Sequence, residues 1–370
     1  MESCAEGKRR AWIAITMWVA SAMSLYASPQ EKAPRARTES TLGLLLSVSD
    51  AGDGFDRHTS YWIAVHPQQR ARPVRLSGLI VPTGRTFRRF AISKECMVLS
   101  RDGREAQPPK RADRDTPAQD QECTESLIEW IPGSKAPTYM SEPSSDVPCS
   151  YRRLDITFAS PAVISLKSHS GRSEECEPRG FHWYEYASVR RHLQPSPILL
   201  SDFLGQKGRE AYERAAVEAR RAWRRDFEID DDSDSSCQAS GEEDSGWYVS
   251  RRDGRWAAEL KQQNGDGSCI MEAPIDAQLP PSLLGFREPA VPWELVRARY
   301  PDAEDAHVAP GGKHWLIVGR NGLLLTTPDA FEIARLPTGA VIQVQWASGR
   351  NVAIWQTALG RFDRRPSDAH

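Results

Sequence analysis

The sequence lacks the short motifs that reveal the common catalytic sites. It contains no Gly-x-Ser-x-Gly nucleophile elbow, no His-Glu-x-x-His zinc helix, no Walker loop and no Gly-x-Gly-x-x-Gly fingerprint. Carboxylates are plentiful, however, and the two carboxylates of a glycosidase meet in space rather than in sequence order. We therefore expect a non-enzymatic protein, and we keep a hydrolase acting on cell-envelope polymers as the alternative.

Clustered metal ligands and a strong net charge are also missing. The eight histidines form none of the i,i+2 or i,i+4 pairs that are common in metal sites. The acidic run around Asp230–Asp234 has no EF-hand frame, because a Gly at position six and a Glu at position twelve are absent. The formal net charge of −2 provides no overall field for nucleic acid or for an anionic membrane. We expect no metal, no cofactor and no nucleic-acid partner.

The first 40 residues have the pattern of an export signal. Lys8, Arg9 and Arg10 precede an uncharged stretch over residues 11–27, and small residues follow at Ala27 and Ser28. This pattern predicts a signal peptide over residues 1–27, cleaved near Ala27, and a flexible linker over 28–40. An uncleaved anchor is the alternative, although 17 residues fall short of the ~20 that a bilayer crossing needs. The prediction is a secreted or periplasmic protein without stable membrane insertion after cleavage.

Six of the seven cysteines follow this segment, an even number that suits an oxidising compartment. Each lies in or beside a polar loop, as expected of disulfides that tie loops together. The sequence allows fifteen connectivities, and proximity in the chain favours the three pairs of neighbours. The disulfide candidates, in those pairs, are Cys96 with Cys123, Cys149 with Cys176, and Cys237 with Cys269.

The periodicity predicts an α+β fold made mostly of antiparallel sheet. Short β-branched and aromatic runs alternate with Gly, Pro and Asp turns. One amphipathic helix is expected over about 205–226, because small apolar residues recur there at three- and four-residue spacing. We expect an α+β domain with disulfide-tied loops over 41–270 and a blade-like antiparallel sheet region over 271–360, packed on it. In that region, hairpins are predicted at Asn321-Gly322 and at Gly349-Arg350-Asn351, the latter with Val352 and Trp355 on opposite sides of its returning strand. A further hairpin is predicted at Asp253-Gly254, and a short helical stretch at PWELVRARYP, residues 292–301.

One strand candidate, FHWYEYASVRRHL, carries the residues that we single out for binding. Alternation places its apolar residues on one face and a row of amphipathic side chains on the other. That row could bind a glycan or a peptide, although a solvated sheet face has the same pattern. The candidate binding residues are His182, Tyr184, Tyr186, Arg190 and His192.

Residues 150–260 resemble the extracytoplasmic domain of RsiV-type anti-sigma factors and related cell-envelope proteins. The resemblance rests on VISLKSHS, a Gly- and His-containing turn, a further strand, and the segment from Leu199 to Phe203 that leads into the helix. It implies an α+β fold and a role in envelope sensing and ligand binding. The ten residues before the hydrophobic run leave no room for a cytoplasmic anti-sigma segment, so we do not expect direct control of a sigma factor.

Residues 300–328 locally resemble one blade of a propeller of the WD or TolB type. A turn precedes a strongly apolar strand there, but no repeat at a 40 to 50 residue period accompanies it. Together these observations predict an exported binding or envelope-associated module that recognises an envelope or extracellular protein or a glycan. A purely structural envelope protein is the remaining alternative.

Overall fold

A computed structural model describes most of the chain from residue 41 to residue 362. The described residues are 41–49, 58–98, 121–131, 137–139, 150–172, 183–192, 194, 196–226, 246–252, 254–264 and 269–362. The predicted signal peptide and linker, the acidic run at 230–234, and Cys149, Cys176 and Cys237 lie outside these ranges.

The described residues form eighteen strands and five helices, and the predicted α+β class is confirmed. The strands are β1 (Leu42–Ser49), β2 (His58–Val65), β3 (Val74–Ser77), β4 (Leu79–Thr83), β5 (Thr86–Val98), β6 (Gln121–Trp130), β7 (Thr138–Tyr139), β8 (Ser150–Ala159), β9 (Val163–Arg172), β10 (Trp183–Arg191), β11 (Trp247–Arg252), β12 (Arg255–Asn264), β13 (Cys269–Gln278), β14 (Ala303–Val308), β15 (Trp315–Gly319), β16 (Gly322–Thr326), β17 (Glu332–Leu336) and β18 (Ala340–Ser348). The helices are α1 (Ser201–Leu204), α2 (Gln206–Asp226), α3 (Pro281–Leu284), α4 (Trp293–Arg299) and α5 (Arg350–Phe362).

The first sheet joins the two ends of the described chain. Its strand order is β18-β1-β2-β3, and β1 pairs antiparallel with both β18 and β2. Because β1 is central and covered on both faces, its residues from Gly43 to Val48 are all buried, which explains the nearly continuous apolar run LGLLLSV. Leu44 and Leu46 pack against the sheet of β14–β17, whereas Leu45 faces α5.

The second and largest sheet carries the predicted amphipathic helix. It has ten strands in the order β11-β12-β10-β9-β8-β6-β5-β4, with β13 beside β12 and β7 beside β6. Helix α2 buries its small face on this sheet through alanines and two aromatic residues, Tyr212 and Trp223. It agrees closely with the predicted range of 205–226. Just before it, the Leu199 amide donates to Asp202 Oδ2 at 3.0 Å, which closes the turn into α1.

The third sheet is the antiparallel unit expected in the C-terminal region. Strands β14, β15, β16 and β17 follow one another in sequence and in space. The predicted hairpin at Asn321-Gly322 joins β15 to β16, and the hairpin of β11 and β12 turns near Gly254, also as predicted. The short helix predicted near Trp293 is α4, which packs on the outer face of this sheet through Val296.

The second C-terminal hairpin prediction was wrong. Residues after Gly349 do not return as a strand but form α5, and β18 leaves the C-terminal region to pair with β1. Gly349 has φ of 56°, a left-handed conformation that favours glycine and redirects the chain. Val352, Trp355 and Leu359 are buried at helical spacing. Val352 and Trp355 therefore share one face, whereas the strand prediction placed them on opposite sides.

Candidate binding groove

A groove of about 360 Å³ opens between the β2–β3 edge of the first sheet and the last turns of α5. We call it the β3–α5 groove. It is lined by Trp62, Ala64, Arg72, Val74, Leu76, Gln356, Leu359 and Gly360. The cavity lies within the size range of pockets that hold small ligands, ~300–1,000 Å³.

The floor of the groove is fixed by aromatic packing beneath it. The rings of Trp62 and Trp355 meet edge to face with centroids 6.1 Å apart, and Phe87 meets Trp355 in the same way at 5.4 Å. Gly43 on the neighbouring strand lies against the Trp62 indole, where any side chain would collide with the ring. Trp62, Leu76 and Leu359 are themselves almost fully buried, so the floor is apolar and held in place.

The walls of the groove leave apolar surface open to solvent. Val74 is 48% exposed, which is unusual for a large apolar residue in a strand, and Ala64 on β2 is also exposed. On the helix side, a Cβ at Gly360 would meet no neighbouring atom within 4 Å, so this glycine leaves an open space beside Leu359. The groove is thus an open apolar surface on a rigid base.

The charged residues of the described segments that build the groove have one sign. No Asp or Glu occurs in residues 41–49, 58–94 or 337–362, although the chain contains 50 such residues among 370. These segments supply every strand of the first sheet and all of α5. Arg72 lines the groove, three further exposed arginines belong to the same segments, and within the described residues none of the four is held in an ion pair. These arginines are Arg70, Arg72, Arg75 and Arg361.

The β3 strand that forms one wall is the last strand of its sheet. Its register with β2 places Val74 opposite Trp62, Arg75 opposite Tyr61 and Leu76 opposite Ser60. Among the described residues, no strand pairs with the other side of β3. An edge of this kind presents backbone N–H and C=O groups to an incoming chain.

The residues predicted for binding lie elsewhere, on and after β10. His182 lies outside the described residues, and only the backbone of Tyr184 is described. Tyr186 and Arg190 are half-buried rather than fully solvated, and Arg190 Nε donates to the Ser188 hydroxyl at 3.3 Å. Their face of β10 also carries Ser188, which is buried. The structure therefore does not bring this row onto one open surface within its described part.

His192, the last of these residues, has a packing role. Its Nε2 lies 2.8 Å from the carbonyl oxygen of Ser160 and donates to it, and its ring stacks on Phe90 with centroids 5.2 Å apart. Burial lowers the pKa of His192 to about 4, and the nearby Arg88 acts in the same direction. The imidazole is therefore neutral at pH 7 and joins β10 to the turn before β9.

Sequence reasoning missed a charged network on the other face of β10. Glu185 accepts hydrogen bonds from His169, at 3.0 Å, and from Lys261, which also contacts Glu272. Burial raises the pKa of Glu185, but these two donors outweigh it and the pKa is lowered overall. Beside this group, Lys167 lies 4.1 Å from the centre of the Tyr248 ring. The network links four strands.

A second charged group joins the large sheet to β14. Arg251 Nε donates to Asp305 Oδ2 at 2.6 Å, its Nη1 contacts Glu288, and its Nη2 donates to the Ala306 carbonyl at 2.9 Å. His307 lies beside the two carboxylates at 3.8 and 3.9 Å. Burial, and then Arg251, lower the pKa of His307, so its ring is neutral at pH 7. Both carboxylates are thus engaged by one guanidinium.

No three His, Cys, Asp or Glu side chains in the described ranges are placed to share a metal ion. None of the described helices is both long enough and apolar enough to span a bilayer.

Comparisons with known proteins add little to the description of the groove. No model of a protein family matches the sequence, and no curated protein matches it. Among solved structures, a DUF3298 family protein from Pseudomonas aeruginosa PAO1 is similar to 53% of this chain over 95% of its own length. The sequence identity is 15% and the TM-score is 0.28, values that support no argument about function. The resemblances to RsiV-type proteins and to a propeller blade stay predictions.

Proposed function

We propose that this protein is an exported, non-enzymatic binding module that holds a partner in the β3–α5 groove. The observation that carries the proposal is an open apolar groove with Arg72 at its rim, built from described segments that contain arginines but no Asp or Glu. Exposed apolar surface costs solvation free energy in the free protein, and covering it by a partner recovers that free energy at roughly 25 cal/mol per Å².

Export is supported by the basic residues and the apolar run at the start of the sequence. A binding role is favoured over a hydrolase by the engagement of one largely buried pair of described carboxylates. Glu288 and Asp305 share the guanidinium of Arg251, so neither is free to act as an acid or a base on a substrate. The proposed partner is an envelope or extracellular molecule.

The test fills the groove without disturbing its base. Gly360→Leu places a side chain in the open space beside Leu359, and replacing a helical glycine also favours helix formation by about 0.5–1 kcal/mol. We expect wild-type protein to enrich at least one component of the cell-envelope fraction that the Gly360→Leu variant loses. The readout is quantitative mass spectrometry of parallel pull-downs.

The control is Arg221→Glu, a charge reversal on the exposed side of α2. It is expected to retain the component that Gly360→Leu loses. Identical sets of captured components for the wild type and the Gly360→Leu variant, both folded by circular dichroism, would contradict the proposal.

A further inference from the structure

We infer that the ligand of the groove is an extended segment of a partner protein that pairs with the free edge of β3. The segment places apolar side chains in the groove and an acidic residue between them. This inference rests on the proposed function and adds to it the chemical class of the partner. Three features carry it: the edge of β3, the register of β3 against β2, and the charge around both.

The edge of β3 is short, and its own residues disfavour pairing with a second copy of itself. Pro73 directly precedes the strand and Arg75 lies at its middle. In an antiparallel pair of two β3 edges, the arginines would lie close together, and like charges opposite each other destabilise a sheet. A foreign strand of opposite charge avoids this repulsion. Strand addition at an exposed edge is an established way to bind an extended peptide.

The register decides which side chains of an added strand enter the groove. Val74 and Leu76 share the face of the sheet that carries Trp62 and packs towards α5. Residues opposite these two on an added strand would project over the same face. Because most residues that line the groove are apolar, it favours apolar side chains at those positions.

The charge of Arg75 determines which residue is favoured on the added strand between the two apolar positions. Arg75 lies on β3 between Val74 and Leu76, and an acidic residue opposite it forms a cross-strand pair of opposite charge. Arg72 at the rim of the groove favours a second carboxylate beyond the apolar pair. The structure thus assigns a recognition pattern of apolar, acidic, apolar, with further acidic residues at one end.

Other ligand classes fit the groove less well. A neutral glycan is usually held by several polar side chains, whereas Arg72 and Gln356 are the only polar side chains on the described lining. An anionic lipid surface matches the arginines but makes no use of the free backbone groups of β3. Both classes are distinguished from a peptide in the test below.

The experiment selects ligands without assuming a sequence. Wild-type protein is used to select from a phage-displayed library of random decapeptides, and the winning peptides are synthesised and titrated by fluorescence anisotropy. We expect the selected peptides to share the apolar, acidic, apolar pattern. Gly360→Leu is expected to weaken their binding about tenfold or more, because the groove is then filled, while Arg221→Glu leaves it within about twofold.

A charge exchange tests the register itself. In Arg75→Glu, the preference is expected to reverse, so that peptides with Lys in the central position bind better than those with Asp or Glu. Raising the salt concentration is expected to weaken wild-type binding, because exposed charge pairs are screened. A merely structural role of Arg75 would not produce this reversal.

Each alternative result has a defined meaning. Failure to select any peptide, selected peptides without the pattern, or equal binding by the Gly360→Leu variant would overturn the inference. Binding of wild-type protein to phosphatidylglycerol vesicles that Gly360→Leu abolishes, without selected peptides, would assign the groove to anionic lipid instead. In that case the groove still binds a partner, so the proposed function stands while this inference fails. Envelope capture that Gly360→Leu leaves unchanged would remove the proposed function as well.

Discussion

Cys96 and Cys123 occupy directly opposite positions on the paired strands β5 and β6. Opposite residues of an antiparallel pair have Cα atoms about 4.5–5.5 Å apart, within the range that a disulfide spans. We predict a disulfide between them in protein that is secreted into an oxidising compartment. Peptide mapping by mass spectrometry without reduction should find the two tryptic peptides joined, and they should separate on reduction.

The matched control for this prediction is the same mapping on protein made in a reducing cytosol, where both thiols should react with iodoacetamide. Free Cys96 and Cys123 in secreted protein would contradict it. The other two predicted pairs involve residues outside the described ranges, apart from Cys269, whose backbone pairs with Asn264.

His192 gives the protein a pH dependence with a defined sign. Its pKa is about 4 in the folded protein against 6.5 ordinarily. Between these two pH values, the unfolded chain therefore binds a proton that the folded chain does not bind. The free energy of unfolding therefore falls as the pH falls from about 6.5 to about 4, by on the order of 2–3 kcal/mol from this residue. His307 and His314, whose pKa values burial also lowers, contribute in the same direction.

Urea unfolding of wild-type protein and His192→Gln at pH 7.0 and pH 4.5 measures this contribution. Glutamine keeps an N–H donor for the Ser160 carbonyl but has no proton to gain, so the variant should lose less stability on acidification. Equal losses in the two proteins would show that His192 does not titrate as expected.

At the scale of elements, Arg251 links β11 to β14 through Asp305 and to the segment between α3 and α4 through Glu288. The side chains of Arg251, Glu288 and Asp305 are only 11%, 16% and 14% exposed, so removal of the guanidinium leaves two largely buried negative charges close together. Arg251→Met should lower the free energy of unfolding by about 3–5 kcal/mol. Urea unfolding followed by tryptophan fluorescence is the measurement.

The triple variant Arg251→Met, Glu288→Gln, Asp305→Asn separates charge from packing. It removes the uncompensated carboxylates while it keeps the side-chain volumes close to their originals. We expect it to recover most of the stability that the single variant loses. A single variant as stable as wild type would mean that the two carboxylates contribute little to the link between the elements.

The elements differ in how far the sequence could predict them. Local patterns were sufficient for α2 and for the hairpins at Asn321-Gly322 and near Gly254, since their partners are neighbours in the chain. The segment after Gly349 is rich in Val, Ile and Trp, which favour strands, and this local preference misled the prediction. The helix forms because it buries Trp355 against Trp62 and Phe87, which lie far away in the sequence.

The groove could not be predicted for the same reason. Trp62 and Val74 lie near one end of the described chain and Gly360 near the other. No spacing of residues in the sequence indicates that they are neighbours in the fold. The one signal available was the absence of Asp and Glu from 58–94 and from 337–362, which becomes informative only when the structure places these segments together. The row around Tyr186, by contrast, had a clear period of two but shares its face with the buried Ser188.

At the scale of the whole molecule, the net charge of −2 conceals an asymmetry. In the described parts of the first sheet and α5, all charged residues are basic, so the excess of acidic residues lies elsewhere in the chain. An overall charge near zero therefore does not exclude a basic surface, although it excludes a strong field at long range. The sequence-based expectation about nucleic acid and membranes concerned that long-range field.

The pairing of β1 with β18 also predicts the behaviour of fragments. Cutting the chain between the regions predicted at 41–270 and 271–360 removes β18 from the first sheet, α5 from its face and most of β13 from the large sheet. The cut exposes the apolar residues of β1 at a sheet edge and part of the core under α2. We expect residues 41–270 alone to aggregate, because an exposed apolar edge strand templates association. Solubility and size-exclusion chromatography measure this.

Co-expression with residues 271–370 is the control, and it should return soluble material to the fragment 41–270. A monomeric fragment 41–270 with a cooperative thermal transition on its own would contradict the expectation. The result bears directly on where the chain can be divided for structural work.

The same β1–β18 pair sets the order of events during biosynthesis. The first described strand must wait for nearly the last before its sheet can close, because Leu42 pairs with Val65 on one side but finds its other partner only in Ser348. Contacts of such long sequence separation slow folding, and they leave LGLLLSV exposed while the rest of the chain is made. Spontaneous refolding should therefore be slow and concentration-sensitive, and a holdase chaperone that covers residues 42–48 should raise the yield.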